Sequence, residues 1–488
     1  MRSVYTDNFK QSVLAGLGIP LTDSRCVSSF PSSGTDDTAQ IAAAYAWLAG
    51  GPYRGLWFEF RQYIISGQLA LTGAVNFRIF GNGASIKAAD GSAAGAGTQM
   101  FYMTNSTDGE IYDLNYDGNR ANRTPSETTS HLFEIYTGCA RIDVFNCRAD
   151  NAVCDGFYVG AQSPTSLNVP TDIRFFQCSA DNGYRNCMSL INSVRFRDYD
   201  GVYTGANGTL PKAGVDVEPN SSTDIGNVDC QFHRTRFTGN ANYGLQVTLA
   251  NSQVKCFDIV SSGNTGGAVG CFSSGSLEIQ GITMEDYTSS VTRGLIDVGS
   301  GSGYVSVDGI RINNCQQNNS AKPMIYVHAA ATGPVRFSDI VQRNSKGPTL
   351  VSYLKAYVDG FAMYGDNNDY AFTLLGAKNS VLRNLYSDGS GAMLYTEQPC
   401  TDVENVKMVN PLPTGGLLFF AAVATRCSLK NMHVHQDVAV PAGQIGCQFA
   451  VAPLVLSNNV GTCDGTAYTA AQVRSITGTP SVSLGLFP

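Results

Sequence analysis

The chain has 488 residues, 43% hydrophobic and only 15% charged, which supplies a large core and excludes a disordered chain. Its 39 acidic and 32 basic residues leave a net charge of −7 without basic runs, so nucleic-acid binding is excluded as its main task. No apolar run approaches the ~18 residues of a membrane-spanning helix, so no membrane insertion is expected.

The first residues, 1–30, carry no periodic pattern and read as an N-terminal arm. The start at Met1 lacks the apolar core of a secretory signal. The one convincing helix follows at 36–48. Asp36, Asp37 and Thr38 are placed to cap it, Ala39, Ile41, Ala42, Tyr45 and Leu48 recur at helical spacing, and Gly50-Gly51-Pro52 ends it. Short strands separated by Gly and polar turns come next, at 55–60, 63–69, 75–81 and 84–87.

From about residue 110 a repeat appears. Residues 144–157 align without gaps to 175–188, so that Cys147, Asp150, Asn151 and Phe157 recur as Cys178, Asp181, Asn182 and Met188. The later half repeats a simpler unit around a small polar corner, seen at Asp308-Gly309, Asp339, Asp359-Gly360, Asn384, Asn405 and Asn431. Units of this size cannot bury an apolar face alone, but stacking one on the next does so. The pattern therefore predicts an all-β fold, a right-handed parallel β-helix over 31–456 with the short helix as its N-terminal cap. Rungs stand about 4.8 Å apart. A β-sandwich gives no reason for a fixed repeat offset. The pattern fades after 457, and 457–488 reads as a C-terminal cap or oligomer contact.

The 14 cysteines are scattered singly, without a CxxC pair or a histidine at zinc-finger spacing. They read as buried free thiols acting as small hydrophobes, in keeping with folding in a reducing cytosol. The five histidines, at 131, 233, 328, 433 and 435, are dispersed; His433 and His435 share a strand face but make a weak metal signal. No cofactor and no metal is expected.

Gly34-Thr35-Asp36-Asp37-Thr38, the Ala-rich helix, Trp57-Phe58-Glu59-Phe60 and Tyr63-Ile64-Ile65-Ser66-Gly67 resemble the N-terminal cap of pectate-lyase-superfamily β-helices. Many bacteriophage tailspikes and polysaccharide depolymerases begin in this way. Asp117-Gly118-Asn119 is similar to a rung common in such chains, and the 214–220 segment around Asp216, Glu218 and Pro219 resembles a rung of carbohydrate-active β-helix proteins. The motif sets of polygalacturonases and mannuronan epimerases are absent, so the resemblance names no single activity. It implies a polysaccharide substrate, a homotrimer, and a place in a phage tail or baseplate. A secreted bacterial enzyme is the alternative location.

Aligning rungs by their inward residues puts Phe157, Val159, Met188, Leu190, Val215 and Val217 in matching places. Alternation then turns Asp216 and Glu218 outward on one face, about 6–7 Å apart along the strand. That spacing suits an inverting glycosidase, with one carboxyl as acid and the other activating a water between them. Tyr158, Ser189 and Gln246 share this face. Asp155 is a further candidate catalytic acid. Arg185 and Lys212 fall in register beside it, and with Asp181 and Tyr184 they complete a candidate sugar-binding wall. The connection from Asn192 to Lys212, with Asp198 and Asp200, reads as a groove-lining loop. Two other functions fit the same residues. One is a β-elimination lyase or epimerase on a uronic-acid polymer, using Arg185, Lys212 and Tyr184. The other is a glycan-binding adhesin or structural spike without catalysis.

Overall fold

The computed structural model describes residues 24–477 apart from 33, 96, 127–128, 162–167, 250, 288–292, 317–322, 368–370, 376–378, 391–393, 397–400, 410–418, 422–426, 437–444, 450–454, 458–459, 464–465 and 468–472. Of the expected arm and terminal segment, 1–23 and 478–488 thus lie outside the described residues. The chain folds as a right-handed parallel β-helix. Its contacts form two compact units, one of residues up to 246 with 251–254, the other of 247–250 with 255 onward.

In the first unit each rung has three strands. Ala140–Phe145, Arg148–Asp150 and Phe157–Gly160 make one rung; Thr171–Phe176, Ser179–Asp181 and Met188–Ile191 make the next. Pairing is parallel, with Val144 opposite Phe175, Asp150 opposite Asp181 and Phe157 opposite Met188, which is the register read from the repeat. Inward side chains stack into a buried ladder that includes Phe133, Phe157 and Phe175.

Corners fall where Asn or Asp adopts the left-handed backbone, as at Asn146, Asn151 and Asn182. Their amides link rung to rung: Asn151 donates to Asp117 at 3.1 Å, and Asn182 donates to Asn151 at 2.9 Å. In the second unit a long strand bends at each polar corner of the simpler repeat. Gly309, Asp339, Gly360, Asn384, Asn405 and Asn431 all have positive φ, and Asn384, Asn405 and Asn431 form a chain of amide hydrogen bonds at 2.9 Å. Parallel pairing continues past residue 457, with Val473–Thr477 beside Ile445–Phe449.

The helix runs from Thr38 to Ala49, two residues later than its expected start, because Asp36 and Asp37 are used to anchor it. Asp37 accepts the Ile64 N–H at 2.8 Å and Arg61 at 2.9 Å, while Asp36 accepts the Thr38 N–H at 2.8 Å and the Ser66 hydroxyl. Tyr45 packs edge-on against Phe58 and Phe101, so the helix covers an end of the coil that would otherwise expose strand edges. Among the described residues no helix is long and apolar enough to cross a membrane.

Pro211 lines a cleft near the end of the segment from Asn192 to Lys212, but this segment is not a loop throughout. It holds two strands of a rung, Arg197–Tyr199 and Val202–Thr204, each too short for its alternation to be read from sequence. Asp200 pairs with Arg234 on the surface at 2.7 Å. Asp198 sits opposite Phe175 and Phe232, and its buried carboxyl accepts from Tyr203 at 2.9 Å and Thr235 at 2.6 Å. Burial pushes this carboxyl up to about 7, against the pull of both hydroxyls. The folded chain therefore holds a proton that the unfolded chain releases near pH 4, and stability falls as pH rises from about 4 to 7. Asp198→Asn is expected to stabilise the protein by on the order of 4 kcal/mol at pH 8 and by little at pH 4. Urea unfolding at the two pH values checks this; equal effects at both would refute it.

The ten cysteines from Cys26 to Cys315 are unpaired, and nine of them are buried. Burial pushes the thiols of Cys139, Cys147 and Cys187 up to about 12. In the native protein these thiols are expected to resist alkylation and to react once it is unfolded. Mass-spectrometric mapping after native labelling tests this, and modified Cys147 would contradict it.

Candidate active site

One outward column of side chains runs across five rungs of the first unit. Tyr102, Glu134, Tyr158, Ser189 and Asp216 stand in register on neighbouring parallel strands, all facing away from the core. Tyr102, Glu134, Tyr158 and Asp216 floor a cleft of about 340 Å³ whose lining also includes Gln99, His131, Tyr136, Arg185, Glu218 and Asn220. Tyr158 stacks on the His131 ring at 4.2 Å, and Tyr136 lies between Tyr102 and Tyr158 at 5.7 and 6.4 Å.

At one end Asp216 and Glu218 meet. Alternation places both on the outer face, and where the strand ends at Val217 the Glu218 carboxyl acts directly on that of Asp216. Asp216 is 2% exposed, and burial followed by the neighbouring Glu218 holds its carboxyl well above the ordinary range, with Arg185 opposing. Gln246 donates to Asp216 from 3.3 Å. Asp216 is thus a proton-holding acid beside a second carboxyl at a surface cleft.

Beside it lies a largely buried ion cluster. Asp155 takes a two-pronged bond from Arg185, at 2.8 Å through Nε and 2.5 Å through Nη2. It also accepts the Asn186 N–H at 3.1 Å and the Ser189 hydroxyl at 2.9 Å. His131 Nδ1 stands 3.1 Å away as an ion-pair partner, off the line of an aligned hydrogen bond. Burial alone would raise the Asp155 pKa, but Arg185 and His131 hold it well below the ordinary range. Burial likewise disfavours charge on His131; Cys154 and Asp155 outweigh it and raise the ring to about 10.

Asp155 thus has no proton to give and no oxygen free to take one, so it serves as an internal counter-charge. The ligand atoms of His131, Cys154 and Asp155 lie within 4.8 Å of one another, as in a metal site. Both Asp155 oxygens already face Arg185, and a dication there would displace a guanidinium, so these residues do not fit a metal.

The remaining expected wall is dispersed. Asp181 is exposed at a corner, in the column of Asp117 and Asp150. Tyr184 packs under Arg120 at 5.0 Å. Lys212 has a left-handed backbone (φ 59°), is half-buried and does not line the cleft. Tyr158, Arg185, Asp216 and Glu218 are brought together there, with Gln246 against Asp216. Among the lining residues not singled out from sequence are His131 and Glu134. Their rung lies 24 residues before the next, Phe133 opposite Phe157, and so falls outside the ungapped repeat. Glu134 is 3% exposed; burial raises its carboxyl, and its Oε2 has no partner in the protein.

No protein-family model and no curated protein matches the chain. Solved structures do. A point mutant and a double mutant of the tailspike protein of E. coli bacteriophage HK620, each in complex with a pentasaccharide, superpose with TM-scores of 0.52. They are 12% and 11% identical, over 93% and 91% of this chain and 81% and 79% of theirs. The chain has the tailspike's parallel β-helix fold. The pre-mature gene product 12 of bacteriophage phi29 is 12% identical with a TM-score of 0.49; the match covers 95% of this chain and 59% of that one. At these identities the likeness is one of fold.

Proposed function

We propose that this protein is a tailspike-like depolymerase that hydrolyses glycosidic bonds of a bacterial surface or extracellular polysaccharide, working as a homotrimer in a phage tail. The observation that carries the reading is Asp216, its carboxyl held well above the ordinary range by burial and by the neighbouring Glu218, in an open cleft lined by three tyrosines. Tyrosine rings offer apolar faces and hydroxyls to sugars, and a cleft running across stacked rungs suits a linear polymer. Asp216 protonates the departing glycosidic oxygen as the C–O bond breaks. Glu218, parted from Asp216 by the bound sugar, takes a proton from the water that adds to the anomeric carbon. Arg185, bound to Asp155, keeps positive charge beside the pair and steadies the carboxylate left on Asp216.

The test is incubation with a panel of capsular, O-antigen and exopolysaccharide preparations, for wild type and Asp216→Asn, following reducing ends and ultraviolet absorbance together. New reducing ends without absorbance, lost in the variant, are expected. Absorbance from an unsaturated product would replace hydrolysis with β-elimination. A polymer that is bound but never shortened would leave an adhesin.

A further inference from the structure

We propose that Glu134 forms a second subsite of this cleft, distant from the bond-breaking pair, which binds a hydrogen-bond donor of an uncharged sugar and rejects a sugar carboxylate. The inference rests on the glycan-cleaving function proposed above. Glu134 is almost wholly buried, yet it faces the cleft, and its Oε2 meets no protein donor. Leaving a buried acceptor unmet costs about 1–3 kcal/mol, and a donor arriving with a ligand removes that cost.

The surroundings define that donor. Tyr102 and Tyr158 flank Glu134 on the neighbouring rungs, so a sugar ring seated there has aromatic side chains on both sides and the carboxyl in the middle. The nearest cation, His131, is stacked under Tyr158 and paired with Asp155. Hydroxyl and acetamido N–H groups suit this subsite; a carboxylate would face Glu134, with the charge of His131 already taken up by Asp155. Glu134 and Asp216 stand three strands apart in register, about 14 Å along the stack. The two subsites therefore engage different sugars of one chain.

The test uses Asp216→Asn, to prevent cleavage, and the first polysaccharide of the panel that it binds. Oligosaccharides of increasing length are prepared from that polymer, and affinity is measured with and without Glu134→Ala. The expected result is a loss of at least tenfold for oligosaccharides long enough to span both subsites, with no change for fragments that reach only Asp216. An equal loss at all lengths, or none at any length, would overturn the proposal.

A second arm compares uronate-bearing polymers with their carboxyl-reduced forms. The reduced forms are expected to bind at least tenfold better, and Glu134→Gln is expected to narrow that preference. Tighter binding of the uronate form would overturn the subsite while leaving the glycan-cleaving function intact. Absence of binding to every glycan would overturn both.

Discussion

Asp216→Asn is expected to slow glycan cleavage by about 10²–10⁴-fold, the usual contribution of a positioned general acid. Asparagine preserves the shape of the side chain and its contact with Gln246 but has no proton to donate to the leaving oxygen. The fold is expected to persist or gain stability, because the variant removes an acid that burial and Glu218 make costly to ionise. A loss of rate accompanied by collapse of the fold would speak for a structural role. The pH profile separates these cases further. Asp216 must be protonated to act, so activity is expected to fall on the alkaline side, at a pH well above that of an ordinary aspartate. The charged groups around it are Glu218, Arg185 and Asp155. Replacing Arg185 removes the one cation that opposes the upward shift, so the alkaline fall should move to still higher pH.

Replacing Arg185 carries the second large effect. Arg185→Met is expected to destabilise the protein by about 3–5 kcal/mol at neutral pH, the cost of stripping one partner from a buried ion pair. Asp155 is fully buried and gives both oxygens to that guanidinium. In the wild type its pKa is depressed by folding. The stabilisation is therefore complete above about pH 4 and is lost as pH falls further. In the variant Asp155 can be neutralised by protonation, so the deficit should shrink towards pH 4. Urea unfolding at pH 7 and pH 4 tests both points, and a deficit under 1 kcal/mol at pH 7 would show that His131 alone suffices as counter-charge. Lysine in place of Arg185 should restore part of the stability, since it keeps the charge but not the two-pronged geometry.

The fold was legible because a parallel β-helix writes itself into sequence as a repeat. The spacing of Cys147 and Asp150 from Cys178 and Asp181 is the register of two stacked rungs, and each Asn, Asp or Gly at a corner marks a left-handed turn. The same alternation correctly turned Tyr158, Ser189 and Asp216 onto one outer column.

Tertiary structure decided what those side chains do. Alternation fixes the side of the sheet, but not how a carboxyl leans once its strand ends, so the contact of Asp216 with Glu218 was out of reach of a spacing argument. Nor does it count competing partners. Arg185 was expected to face sugar, yet Asp155, one rung away and fully buried, takes both prongs of its guanidinium. Lys212 leaves the cleft because its backbone is left-handed, and Asp181 because a corner intervenes between its strand and the next. His131 and Glu134 enter because a rung of different length brings them alongside Tyr158 and Asp155. Sequence by itself determined the stack and the outward face, since both follow from local periodicity. The ionisation of the site depends on burial and on which charges meet across rungs, and those distances exist only once the rungs are wound together.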